Sequence, residues 1–290
     1  MTSLTVSNTD GYPLSVTRFD ARQDNGKVIL LCSATAVKQE FYANYAVYLS
    51  EAGYTVYTFD YAGIGKSKPE KLKGFEASMR SWAQKDFYAV TQYLNEQHPQ
   101  SDKYLIGHSI GGIFLGLTTA YQSYKAFVTI AAQFGYWKFF PTLRRPIVLW
   151  LFAVLIPLFS KVIGYFPSKI KSLGEPLPKG AAYDWQTLIM DPDSALALAR
   201  QSENHYAEIR QPMLIIGIED DWMALEKTVD MLAQKVFVNA KVTRRQILVS
   251  ESDQKHIGHM DFFRRKNKER LWKIPVDWID KQIGKQSEGE

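Results

Sequence analysis

Five short, almost wholly apolar runs, at 28–32, 56–59, 104–106, 127–131 and 213–216, punctuate this 290-residue chain. A strand with one face in water alternates apolar and polar residues. A strand without that alternation is covered on both faces, as in a mainly parallel sheet flanked by helices. The segments between the runs, 42–52, 79–95 and 111–121, repeat apolar residues at helical spacing, so the unit is βαβ and the fold class α/β. Gly112 and Gly116, one turn apart in the third of these, would let a helix approach the sheet closely. Upstream, 4–7 and 14–19 alternate with period two around Asn8-Thr9-Asp10-Gly11, which predicts a leading β-hairpin.

The βαβ rhythm breaks between 134 and 208. Trp137, Phe139 and Phe140 precede an apolar run at 147–159; Pro167, Gly174, Pro176, Pro178 and Gly180 follow, and then a more polar helical piece at 184–203. This interval is expected to be a mostly helical cap inserted after the sixth strand, dividing a core made of 1–133 and 209–290. The run at 147–159 is shorter than the roughly 20 residues needed to cross a bilayer and contains Pro157, so a buried cap helix is expected rather than a membrane contact.

Composition sets further bounds. The 46% hydrophobic and 22% charged fractions are those of a globular protein. The net charge of +5 is modest, and the densest basic run, Arg264-Arg265-Lys266-Asn267-Lys268, lacks interleaved aromatics or a reader fold, which argues against nucleic acid as a partner. Cys32 is the only cysteine and lies inside an apolar run, so no intrachain disulfide can form. The opening Met1-Thr2-Ser3-Leu4-Thr5-Val6 has neither a basic nor a long apolar signal region, and a cytoplasmic location is expected.

Chemistry enters at Gly107-His108-Ser109-Ile110-Gly111, between the run at 104–106 and a helix-like stretch. A serine at so tight a strand-to-helix corner is held in a strained conformation, and side chains two residues either side would strike neighbouring backbone. Glycines 107 and 111 remove those collisions. The Ile110 N–H would then point into the space that the Ser109 hydroxyl faces, as one donor of an oxyanion hole.

A serine hydroxyl is a poor nucleophile near neutral pH and needs a base, which in turn needs a carboxylate. Of five histidines, His98 and His205 lie in polar surroundings and His108 would point away from Ser109 into packing. His256 and His259 follow the strand at 246–249 on a loop containing Gly258, and His259 is the preferred base. For the acid, the strand at 213–217 runs into Ile218-Glu219-Asp220-Asp221-Trp222 at the edge where sites form in open α/β sheets. Asp220 is preferred, with Asp221 its rival. Tyr136, Trp137, Phe139 and Phe140 are expected to line an acyl pocket, on their aromatic density alone.

Four motifs together carry a resemblance. Asp60-Tyr61-Ala62-Gly63-Ile64-Gly65-Lys66-Ser67, after the run at 56–59, resembles the motif that follows the corresponding strand of α/β-hydrolases, 107–111 their elbow, 217–220 their acid turn and Gly258-His259 their histidine loop. The chain is similar to the serine-hydrolase branch that includes the serine aminopeptidase S33-like and monoglyceride-lipase-like proteins. One departure is Ser33-Ala34-Thr35-Ala36-Val37 in place of the usual His-Gly after the strand at 28–32, which leaves the second oxyanion donor to the N–H of Thr35 or Ala36. The resemblance implies an α/β-hydrolase fold and a Ser109, His259, Asp220 triad, with no metal or organic cofactor. The expected function is hydrolysis of a small acyl ester or thioester, of carboxylesterase, lipase or thioesterase type, through an acyl-enzyme. Acyl transfer and a non-catalytic binding module are the alternatives. Gly-Lys-Ser at 65–67 also suggests a phosphate loop, but that motif needs glycine where Asp60 stands.

Overall fold

The computed structural model describes residues 1–167 and 174–287. Eight strands form one sheet: β1 (Thr2–Ser7), β2 (Pro13–Phe19), β3 (Lys27–Cys32), β4 (Thr55–Phe59), β5 (Asp102–His108), β6 (Ala126–Ile130), and, beyond a small hairpin of β7 (Tyr165–Phe166) and β8 (Leu177–Pro178), β9 (Pro212–Ile218) and β10 (Lys241–Ile247). Their spatial order is β1-β2-β4-β3-β5-β6-β9-β10. The leading hairpin pairs antiparallel and joins β4 antiparallel, while every pair from β4 to β10 is parallel. This is the doubly covered sheet that the non-alternating runs require: β4 and β6 are buried along their whole lengths. β10, at the open edge, alternates exposed and half-buried residues, as one-sided cover demands.

Helices cover the sheet where their apolar faces dictate. Residues 79–97 form one continuous helix with a π segment at Trp82–Phe87. It buries Met79, Trp82, Ala83, Phe87, Val90 and Leu94, an i, i+3, i+4 pattern, and starts on a reciprocal Ser78–Ser81 capping box. Ala43–Glu51 buries Tyr45, Ala46 and Leu49 in the same way. The stretch after Ser109 departs from expectation. Instead of a regular helix it folds as successive 3-10 turns, Ser109–Gly112, Phe114–Leu117 and Thr119–Ser123. Gly112 does pack on the sheet, against Thr129, but Gly116 admits the ring of Tyr206, so its smallness serves the segment leading into β9.

Between β6 and β9 the chain is mostly helical. A 21-residue helix, Thr142–Val162, contains a π segment at Trp150–Leu155 and is, by length and composition, long and apolar enough to cross a membrane. The expectation that the segment is too short to span is corrected here: Thr142 to Pro146 and Ser160 to Val162 continue the helix beyond the apolar run at 147–159. Nor is it a buried helix, because only 22% of its apolar window is covered. Val148, Phe152, Leu155 and Ile156 make its packed face. Helix Lys179–Met190 lies against it, with Phe152 edge-on to Trp185 at 5.1 Å and Gln186 Nε2 donating to the Phe152 carbonyl at 2.7 Å.

Candidate active site

Strand β5 delivers Ser109 to a corner where its φ is +53°, the left-handed region that costs a non-glycine residue on the order of 1–3 kcal/mol. Close approach on both sides fixes the corner. A Cβ on Gly111 would sit 2.5 Å from the Cys32 carbonyl oxygen of β3, and one on Gly107 would strike the Gly111 carbonyl. Ser109 stands half-buried where two cavities meet. The larger, about 220 Å³, is walled by Thr35, Val37, Trp185, Met223, His259 and Met260; the smaller, about 30 Å³, lies among Ile110, Ile113, Gly135, Leu188, Ile189 and Ser194. Gln133 and Trp185 border both.

His259 shares the larger cavity wall with Ser109. Its Nδ1–H donates to Asp221 Oδ2 at 2.7 Å, which leaves Nε2 unprotonated and able to accept a proton. Asp221, fully buried, accepts two further bonds on Oδ1, from the Met223 N–H at 2.8 Å and the Ala224 N–H at 3.1 Å. The preference for Asp220 is therefore corrected. Past β9 the Asp221 N–H closes a turn onto the Ile218 carbonyl, which sends the Asp221 side chain inward and the Asp220 side chain toward the histidine loop. There Asp220 accepts the Ile257 N–H at 3.0 Å and the Gly258 N–H at 2.7 Å, and pairs with His256 Nδ1 at 2.5 Å. Partial burial pushes its carboxyl up, but the two N–H donors and His256 outweigh that and hold it below the ordinary carboxylate range.

His108 is buried, as expected, and is also bonded at both nitrogens. Nε2 faces the His259 carbonyl oxygen at 2.8 Å, so Nε2 carries the proton and Nδ1 accepts from the Tyr42 hydroxyl at 2.8 Å. That hydroxyl in turn accepts the Ala34 N–H at 2.9 Å. The chain of bonds ties the β3 loop, the elbow strand and the histidine loop together. Burial, with the neighbouring His259 as a second cause, pushes His108 well below the ordinary histidine range and keeps it neutral.

Thr35 borders both cavities beside Ser109, and Ile110 borders the smaller. Ala36 does not face them among the described lining residues. It sits at φ +61°, and its carbonyl accepts the Glu175 N–H at 2.8 Å. The aromatic expectation is also corrected, since Tyr136, Trp137, Phe139 and Phe140 line neither cavity among the described residues. Beyond Gly135 the chain enters a 3-10 turn, Trp137–Phe139, that leads away, and Phe140 packs on Trp222 at 6.2 Å. The apolar walls come instead from Trp185, Leu188 and Ile189, at i, i+3, i+4 on helix Lys179–Met190, a spacing readable in the sequence once that helix is recognised. His98 pairs with Tyr57, and His205 with Glu203 and Glu208, both outside the cavities. The loop at 60–67 binds its amides internally: Asp60 accepts the Lys66 N–H, and the N–H groups of Gly63, Ile64 and Ser67 go to the carbonyls of Ser67, Tyr61 and Ile64, where a phosphate loop would leave them to a ligand.

The family model described as serine aminopeptidase, S33, matches residues 23–251. The chain belongs to that family, within the α/β-hydrolase superfamily. Among curated proteins none matches it in sequence. Solved structures similar to it include a carboxyl esterase from Bacillus coagulans (13% identity, TM-score 0.62, covering 96% of this chain and 97% of that one). An esterase from Exiguobacterium antarcticum is 15% identical, with TM-score 0.60 over 96% and 100% of the two chains. A thermophilic esterase from Thermogutta terrifontis is 16% identical, with TM-score 0.59 over 97% and 99%. At such identities the likeness is one of fold, and the chemistry of this S33 member has to be argued from its own residues.

Proposed function

We propose that this S33-family protein hydrolyses a carboxylic ester or thioester with an apolar acyl part, using Ser109 as nucleophile, His259 as base and Asp221 as the carboxylate that orients it. The supporting observation is the 2.7 Å Asp221–His259 pair facing a cavity shared with the strained Ser109. His259 Nε2 takes the Ser109 proton as Oγ attacks the acyl carbon. The amides of Ile110 and Thr35 receive the oxyanion, Thr35 in preference to Ala36 because it borders both cavities. Collapse expels the alcohol or thiol, which takes the proton from His259, and water repeats the sequence on the acyl-enzyme to release the acid.

An aminopeptidase must hold the ammonium group of its substrate, which calls for a carboxylate at the site. Among the described lining residues of the two cavities none is Asp or Glu, and Trp185, Leu188, Ile189, Met223 and Met260 supply apolar wall. That favours an acyl ester over a free peptide N-terminus. A fluorophosphonate probe tests the reading: it should label the folded wild type and not Ser109→Ala. A p-nitrophenyl ester should turn over where an aminoacyl p-nitroanilide does not. Failure to label well-folded protein, or preference for the anilide, would overturn it.

A further inference from the structure

Helix Thr142–Val162 has apolar residues on the wrong side for a protein surrounded only by water. Leu143, Ile147, Trp150, Val154, Leu158 and Val162 are all exposed, Leu143 at 96%. Their spacing of 4, 3, 4, 4 and 4 aligns them in one stripe about 28 Å long. Opposite them Val148, Phe152, Leu155 and Ile156 pack inward, so the helix is apolar on both faces, and between Arg145 and Lys161 it has no ionisable residue. A helix apolar all round belongs in a core or in lipid, and this one is not in a core.

Charge identifies what covers the stripe. From Lys103 to Gly174 the sequence contains no Asp or Glu. The helix carries Arg144 and Arg145 in its first turn and Lys161 in its last, with Lys138 just before it, and Arg144, Lys138 and Lys161 are exposed. Apolar stripe, tryptophan and flanking cations match the boundary of an anionic bilayer, where long basic side chains reach phosphate groups while the stripe enters the acyl region. The packed inner face keeps the helix lying on the protein and therefore on the membrane surface rather than through it.

We infer that this helix docks the protein on anionic lipid membranes. The inference rests on the surface and not on the hydrolase reading, and binding can be measured without turnover. Phe152 on the inner face touches Trp185, which walls both cavities at Ser109, so the docked face is one layer from the candidate site.

The test is co-flotation of the full chain with phosphatidylcholine vesicles, with and without phosphatidylglycerol. Wild type should float with the anionic vesicles, at least tenfold more weakly with neutral ones, and more weakly at high salt. The triple variant Ile147→Glu, Val154→Glu, Leu158→Glu should lose flotation at least tenfold and keep wild-type turnover of a water-soluble ester. A second readout needs no charge insertion: bromine-labelled lipid should quench tryptophan emission in wild type and clearly less in Trp150→Phe. No flotation of wild type, equal flotation of the triple variant, or quenching unchanged in Trp150→Phe would overturn the inference. So would a dimer in solution that the triple variant dissociates without any lipid binding, since a second copy would then cover the stripe.

Discussion

Asp220 and Asp221 are neighbours in sequence and hold two different parts of one loop: Asp221 bonds the His259 ring, and Asp220 bonds the backbone N–H groups of Ile257 and Gly258 just before it. One carboxylate sets the ring's tautomer, and the other sets where the ring starts from. Asp221→Asn should lower kcat on the order of 10⁴-fold with little change in KM, because the amide favours the wrong tautomer. Asp220→Asn keeps only one acceptor for two donors and should lower stability by about 1–3 kcal/mol, with kcat reduced less than tenfold. Ester kinetics and thermal melts on the two variants check the division. The depressed Asp220 carboxyl contributes stability that is fully present above the ordinary aspartate value of 3.8 and lost as pH falls through its lower folded value.

His108 predicts acid sensitivity at higher pH. Its folded value lies well below the ordinary 6.5, so the unfolded chain binds the extra proton first and stability falls as pH drops below 6.5. His98, also lowered, chiefly by burial, acts in the same direction. Asp86, pushed up to about 7 chiefly by burial, acts in the opposite one, its contribution being lost as pH rises toward 7. The difference between wild type and His108→Gln isolates the residue. The variant should melt lower at pH 7.5 and show a flatter decline from pH 7 to 5.

Ser194 combines a φ of +48° with a buried hydroxyl that has no hydrogen-bond partner, and it lines the small cavity at Ser109. Glycine accepts that backbone without strain, so Ser194→Gly should raise stability by about 1 kcal/mol. If the hydroxyl serves bound substrate, Ser194→Gly and Ser194→Ala should both lower kcat/KM about tenfold, and only the glycine variant should raise Tm. Unchanged kcat/KM in both would assign Ser194 to packing alone.

Trp185 stands where the two cavities join. Trp185→Leu removes an aromatic wall and should shift the kcat/KM ratio of p-nitrophenyl octanoate to acetate upward by about tenfold, the scale that changes in apolar pocket size command. It should also cost about 2 kcal/mol through the lost contact with Phe152. An unchanged ratio would place the acyl chain elsewhere.

What could be read from the sequence follows from how local each cause is. β4 and β6 were legible because burial on both faces writes itself into nearly every residue of the run, with Thr58 and Thr129 the polar members. The elbow was legible because backbone contact at 107 and 111 admits only glycine. The choice between Asp220 and Asp221 was not, since the turn onto the Ile218 carbonyl that separates them is set by geometry. The pocket wall was missed for another reason. Aromatic density at 136–140 marks packing without saying against what, whereas Trp185, Leu188 and Ile189 face Ser109 only because helix Lys179–Met190 folds back over the sheet edge.

The π segment at Trp150–Leu155 has a geometric consequence for the helix around it. Over the 19 residue steps from Leu143 to Val162, an undistorted helix of about 3.6 residues per turn would carry a stripe spaced 4, 3, 4, 4, 4 some 100° around its axis. The wider turn, about 4.4 residues, unwinds most of that drift. Pro157, which has no N–H to offer the Ala153 carbonyl, sits in the first turn of the tighter winding that resumes at Ile156. One local loosening of the backbone thus turns a spiral of side chains into a straight edge, and a straight edge can rest along its whole length on a plane.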